Sequence, residues 1–337
     1  MTGIRLLPVL LVAIAPLALG AQTPPAAADH DHGTHDQAAP HDAAAPQDHA
    51  ETHDHAAGHD HAAMHGEPEA ALSELAREQI AAVEASVAPF AQPATARDSG
   101  FRPALGMIPT MGTHWVNAVR MLSGTGSDPA RPEHLMFSPV AGEEKLVGVA
   151  FAYQARPGQE TPDLFDGALD AWHTHPELSP PGMELTMLHV WFVPSPDGPF
   201  AGHNPWLAYW AVGLEPPAAA RLAGEADSYR IRALGLALAE TVEEGRDGGL
   251  LSSLLRTGRL PALEPRRDRI RELIPVLEAA QVAGDPVAWN AAADAAVAEW
   301  EAIRAATLEA IRFPQVRDRL AAFYGEMLTG GHGEHAH

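Results

Sequence analysis

The apolar residues of this chain change their spacing at one place, and that change constrains what it can fold into. From Gly100 to about Pro205 they come in short runs cut by Gly/Pro turns, which predicts strands and loops. After Glu215 they recur at gaps of three and four, which predicts helices to the end. In the first part, His134–Ser138, a turn over Ala141–Lys145 and then Leu146–Gln154 have the pattern of a β-hairpin. Two further extended runs are expected around Trp172–Pro176 and Leu188–Val193, with tight turns at 124–129 and 194–198. An amphipathic helix over Glu69–Val87 precedes the strands, and Pro89 and Pro93 are expected to end it. Beyond Glu215, helices are predicted over Ala218–Glu244 and Pro265–Ala283, then from an N-cap at Asp285 with Pro286 in its first turn. The stripe Trp289, Ala293, Ala296, Trp300, Ile303 and Thr307 runs along that helix, Pro314 breaks it, and a last helix reaches about Leu328. The fold class expected is α+β: a small, mostly antiparallel sheet domain (70–210) that carries a histidine cluster, followed by an all-helical C-terminal module (215–329).

The ends read differently. Arg5 precedes an apolar run, Leu6–Leu19, and small residues follow at Ala18–Ala21. This is the pattern of a cleaved secretory signal over 1–20, with processing near Gly20/Ala21, and it predicts a periplasmic or secreted protein. No later stretch is apolar enough to suggest a transmembrane segment after signal removal. Residues 21–69 are rich in His, Asp, Ala and Pro and hold ten of the 19 histidines; such composition predicts disorder and loose capture of transition-metal ions. A short tail, 330–337, carries three more histidines.

Composition removes several function classes. With 22 basic against 44 acidic residues and a net charge of −22, the chain lacks the cations needed to grip phosphate backbones, so no nucleic-acid partner is expected. It has no cysteine, which excludes disulfides, thiol catalysis and thiolate-bound metals. There is also no G-x-S-x-G elbow, phosphate loop, H-E-x-x-H or dinucleotide-binding glycine motif.

What remains is histidine. Six lie outside the two ends, four of them between Trp172 and Asn204: His173, His175, His189 and His203. On an extended segment the period of two puts His173 and His175 on one face. His189 and Trp191 would share a face of the next strand, opposite Leu188, Val190 and Phe192. Neutral imidazole is the commonest transition-metal ligand, so His173, His175, His189, His114 and His203 are the candidate ligands, while His134, at a strand start after Pro132-Glu133, reads as structural. Zinc is the first expectation, with copper or nickel as alternatives; Met107, Met111, Met183 and Met187 lie near these histidines and thioether suits Cu(I).

Six blocks in fixed order, ARDSGF (96–101), MGTHWVN (111–117), RPEHLMF (131–137), KLVGVAF (145–151), LHVW (188–191) and PDGPFAGHNP (196–205), resemble a family of secreted bacterial proteins of unknown function. The resemblance implies that His114, Asn117, His189 and Trp191 fall on motif residues; Ala150 departs from a Glu in the pattern, and HTHP at 173–176 is not part of it. That HTHP looks like the metal motif of JAMM-type isopeptidases, although Thr186 stands where the spacing calls for Asp. Gly167, with five residues between it and His173-Thr-His175, echoes the first cupin motif without its later residues.

The expected function is therefore an exported transition-metal-binding protein engaged in metal capture or handling. A zinc-dependent hydrolase is the alternative, with Glu143, Glu144 or Glu184 as general base at an open metal site. A structural envelope protein, in which the histidines only pack, is a third. The partner of the helical module is left open.

Overall fold

A computed structural model of the chain describes residues 72–123, 128–166, 172–175, 179, 181–218, 225–242 and 260–329. The signal, the His/Asp tract, the terminal tail and residues 124–127 of the turn expected at 124–129 lie outside the described residues, as do parts of the helix expected over 218–244. All described residues belong to one compact unit, His65–His337. The architecture is α+β, with a wholly antiparallel sheet followed by helices.

The sheet has six strands: β1 (Phe101–Ile108), β2 (Gly112–Asn117), β3 (His134–Val140), β4 (Glu143–Ala155), β5 (His173–Thr174) and β6 (Glu184–Trp191). Their order is β1-β2-β3-β4-β6-β5, so β6 inserts between β4 and the two-residue edge strand β5. The expected hairpin is β3–β4, with Val140 paired to Glu143 across Ala141-Gly142. Both turn residues have positive φ (52° and 81°), as a two-residue turn matching the strand twist requires.

Each face of the sheet packs on its own core. On one, Trp115, Leu135, Val149, Phe151, Leu188 and Val190 pack with Ala76, Val83 and Val87 of α1 (Glu74–Val87). The Ser73 hydroxyl caps α1 by accepting from the Ala76 N–H at 3.0 Å. Pro93 does not only end structure: it opens a short helix, α2 (Pro93–Asp98), because Pro is well suited to a first helical turn. The other face carries Met136, Ala150, Ala152, Leu185, Met187 and Trp191, which meet Leu207 of α4 (Trp206–Ala211).

A short α3 (Ala118–Ser123) follows β2. The C-terminal helices are α5 (Glu225–Ala239), α6 (Glu264–Ala283), α7 (Pro286–Ala310) and α8 (Pro314–Thr329). Asp285 caps α7 as expected, accepting from the Val287 and Ala288 N–H groups at 3.0 Å each. Gly284, at φ 63°, ends α6 in the left-handed conformation that frees a helix to stop. The expected stripe is buried except at its end, where Thr307 is half-buried: Trp289, Ala293, Ala296, Trp300 and Ile303 join Leu234, Ile270 and Leu277 in a helical core. Arg232 of α5 forms a double hydrogen bond with Asp197, at 2.5 and 2.7 Å, and so ties the helices to the loop that leaves β6.

Candidate metal centre

Antiparallel register places residues that sit directly opposite each other on the same face. His134 pairs with Ala150, and Ala150 with His189. His114 pairs with Met136, two residues from His134, and His173 pairs with Met187, two residues from His189. One sheet face therefore carries His114, His134, His189 and His173, with His175 two residues further along. The central strand offers Gly148, Ala150 and Ala152 to that face, a floor of minimal side chains. A Cβ on Gly148 would lie 2.5 Å from the Val190 carbonyl oxygen and 2.7 Å from Met136 Cε.

That floor lets the rings converge. β2 and β6 are separated by β3 and β4, which on a flat sheet would put them about 14 Å apart. Yet His114 Nε2 lies 3.3 Å from His189 Nε2. The sheet curls around this face and the two imidazoles lean across it. Ring centroids join the rest: His114–His134 at 5.8 Å, His173–His189 at 4.9 Å and His173–His175 at 4.8 Å. His203, on the loop after β6, packs edge-on against Phe323 of α8.

Hydrogen bonds set the tautomers. His189 Nδ1 is 2.9 Å from the Gly202 carbonyl oxygen, which can only accept, so Nδ1 carries the proton. In the neutral ring, Nε2 of His189 is then a bare lone pair directed at His114. If that contact is a hydrogen bond, His114 donates from Nε2 and its own Nδ1 is bare; that atom is buried without a hydrogen-bond partner. Both ring nitrogens of His134 are likewise buried and unbonded. His203 Nδ1 meets the Thr110 hydroxyl at 3.1 Å, and the Asn204 N–H donates to the Thr110 carbonyl at 2.7 Å. Thr110 holds φ at 65°, a costly conformation for a β-branched residue. The strain sits at the residue that positions His203.

Burial holds these imidazoles neutral. Desolvation pushes His114 and His189 well below the usual histidine range, and neighbouring histidines add to it. His134 and His203 are brought down to about 3 by burial, with His175 adding to the first and His173, Arg232 and His175 to the second. The neighbours that add to this lowering are other histidines and, at His203, Arg232.

The five histidines singled out in the sequence thus gather in one region, and His134, read there as structural, belongs with them. It stands two residues from Met136, and that Met136 lies opposite His114 is legible only once β2 and β3 are paired. Among the described residues no group of three or more His, Asp or Glu side chains is arranged to hold a metal ion as the side chains stand. The glutamates considered as general bases lie elsewhere: Glu184 alternates onto the opposite face from His189, and Glu143 and Glu144 are exposed beside the β3–β4 turn.

No family model, curated protein or solved structure matches this chain.

Proposed function

We propose that the chain is an exported protein that binds a transition-metal ion at the buried histidine face of its sheet, the His/Asp tract of residues 21–69 serving to collect metal. The observation that carries this reading is the pair His114–His189. Two nitrogens bound to one tetrahedral ion at about 2.0–2.1 Å would stand about 3.3–3.4 Å apart, and the two Nε2 atoms are 3.3 Å apart. Each ring is neutral, as a ligand must be. His189 also donates from its Nδ1–H to the Gly202 carbonyl, the orienting contact that metal-binding imidazoles ordinarily have.

The orphaned nitrogens of His114 and His134 support the same reading, since buried polar atoms without partners are uncommon and call for a cause. A complete shell needs a third imidazole to turn inward, and His173, with its ring centroid 4.9 Å from that of His189, is the nearest such neighbour on the edge strand. The hydrolase alternative has less behind it, because the glutamates that would activate water do not share this face.

The test is metal content by mass spectrometry on the full chain after dialysis against a weak chelator, compared with a His114→Ala/His189→Ala variant. The tract is common to both, so it cancels. Loss of about one tightly held ion per chain in the variant is expected; equal retention would overturn the reading.

A further inference from the structure

The register sets two methionines each directly opposite a histidine: Met136 against His114, and Met187 against His173. Both are on the histidine face, 0% and 2% exposed. Met136 extends over the centre of that face, its Cε lying 2.7 Å from where a Cβ on Gly148 would be. Methionine commonly does no more than fill a gap in a core. Here, however, both stand on the face that carries the histidines, over a floor of Gly148, Ala150 and Ala152.

We propose that this site is selective for a monovalent soft cation, Cu(I) or its analogue Ag(I), with Met136 and Met187 as thioether donors beside His114, His189 and His173. The inference rests on the metal-binding reading above and names the class of ion.

Two physical arguments support it. Thioether and imidazole together favour Cu(I), whereas a zinc site gains nothing from a thioether. Charge is the second argument. The cost of placing an ion in a buried site scales with the square of its charge, so a monovalent ion bears about a quarter of the cost of a divalent one. Buried zinc is usually offset by thiolate, carboxylate or hydroxide. Here the proposed donors are thioethers and imidazoles, none of which carries a negative charge to offset a second positive one.

The experiment uses the full chain and follows the unfolding of its folded body by tryptophan near-UV circular dichroism. All seven tryptophans lie between Trp115 and Trp300, so residues 21–69 contribute none of the signal. Ions held by that tract alike in the folded and unfolded chain leave the transition where it is. In chloride-free buffer, Ag(I), or Cu(I) under anaerobic reducing conditions, should raise the midpoint by about 5 °C or more, and equimolar Zn(II) should raise it less. Met136→Leu/Met187→Leu should lower Cu(I) affinity at least about tenfold in competition with a Cu(I) chelator while leaving Zn(II) affinity unchanged.

A larger shift with Zn(II) than with Ag(I) or Cu(I) overturns the ion class but leaves the metal site standing. Unchanged Cu(I) affinity in the methionine variant overturns the thioether donors. If no metal shifts the midpoint, and His114→Ala/His189→Ala changes nothing, the site itself is lost and this inference with it. The comparison of Ag(I) with Zn(II) on the unaltered chain needs no variant to fold.

Discussion

Each buried polar atom left without a hydrogen bond costs about 1–3 kcal/mol. His134 has two such atoms in one ring. A residue retained for packing alone would not carry that burden, since an apolar side chain of similar size would serve better. His134→Leu should therefore stabilise the metal-free chain by about 1–2 kcal/mol, measured as a rise in the urea midpoint, while reducing metal retention. A loss of stability of that size would mean that the imidazole is structural after all. The sequence hid this residue because a single histidine at a strand start has no periodic partner on its own strand. Its neighbours in the cluster are on β2 and β6, and pairing across strands cannot be read from spacing along one of them.

Among the elements, the loop from Pro194 to Asn204 holds the site together. Its Gly202 carbonyl orients His189, and its Ala201 carbonyl accepts from Trp191 Nε1 at 2.6 Å. It also carries His203, and Arg232 of α5 grips it through Asp197. Both partners are largely buried, 4% and 13% exposed, so removing one strands the other's charge. Arg232→Leu should cost about 3–5 kcal/mol, and most of that should return in Arg232→Leu/Asp197→Leu, as in other buried pairs. A double-mutant cycle by urea unfolding checks it; additive losses would show that the contact is only one of proximity. The floor of the face is the second element-scale device. Gly148→Val should destabilise the fold, since its first added carbon meets the Val190 carbonyl 2.5 Å away. That is backbone, which cannot swing aside as a side-chain tip could. A variant as stable as the parent, by thermal unfolding, would count against the described β4–β6 approach.

At the scale of the whole molecule, the buried histidines make the metal-free protein sensitive to acid. His114, His134, His189 and His203 have folded pKa values below the unfolded value of about 6.5. Below that value the unfolded chain binds protons that the native state does not, so stability falls as pH falls. The stabilising difference is complete above pH 6.5 and is lost progressively toward pH 3, where His134 and His203 finally titrate. Each group contributes a slope of up to about 1.4 kcal/mol per pH unit. The interval from pH 6.5 to 5 is diagnostic, because the carboxylates are then still ionised. The urea midpoint of the metal-free chain should drop across it, and a level profile would contradict the neutral burial of these rings. No helix among the described residues is long and apolar enough to cross a membrane.

The sequence by itself determined the class of this fold, because period and turn chemistry are local. Alternation with Gly/Pro punctuation made strands up to about residue 205. Gaps of three and four made helices after it, and Asp285-Pro286 marked the start of α7 to the residue. It also determined which side of β6 His189 would share with Trp191, since a strand's two faces follow from counting by two. Only the tertiary structure decided that β6 lies against β4 with β5 at the edge, and hence that His114 and His189 approach to 3.3 Å. Strand order and the curl of a sheet depend on which small residues face inward on the central strand. Gly148, Ala150 and Ala152 become the floor of a site only when β3 and β6 are laid on either side of them.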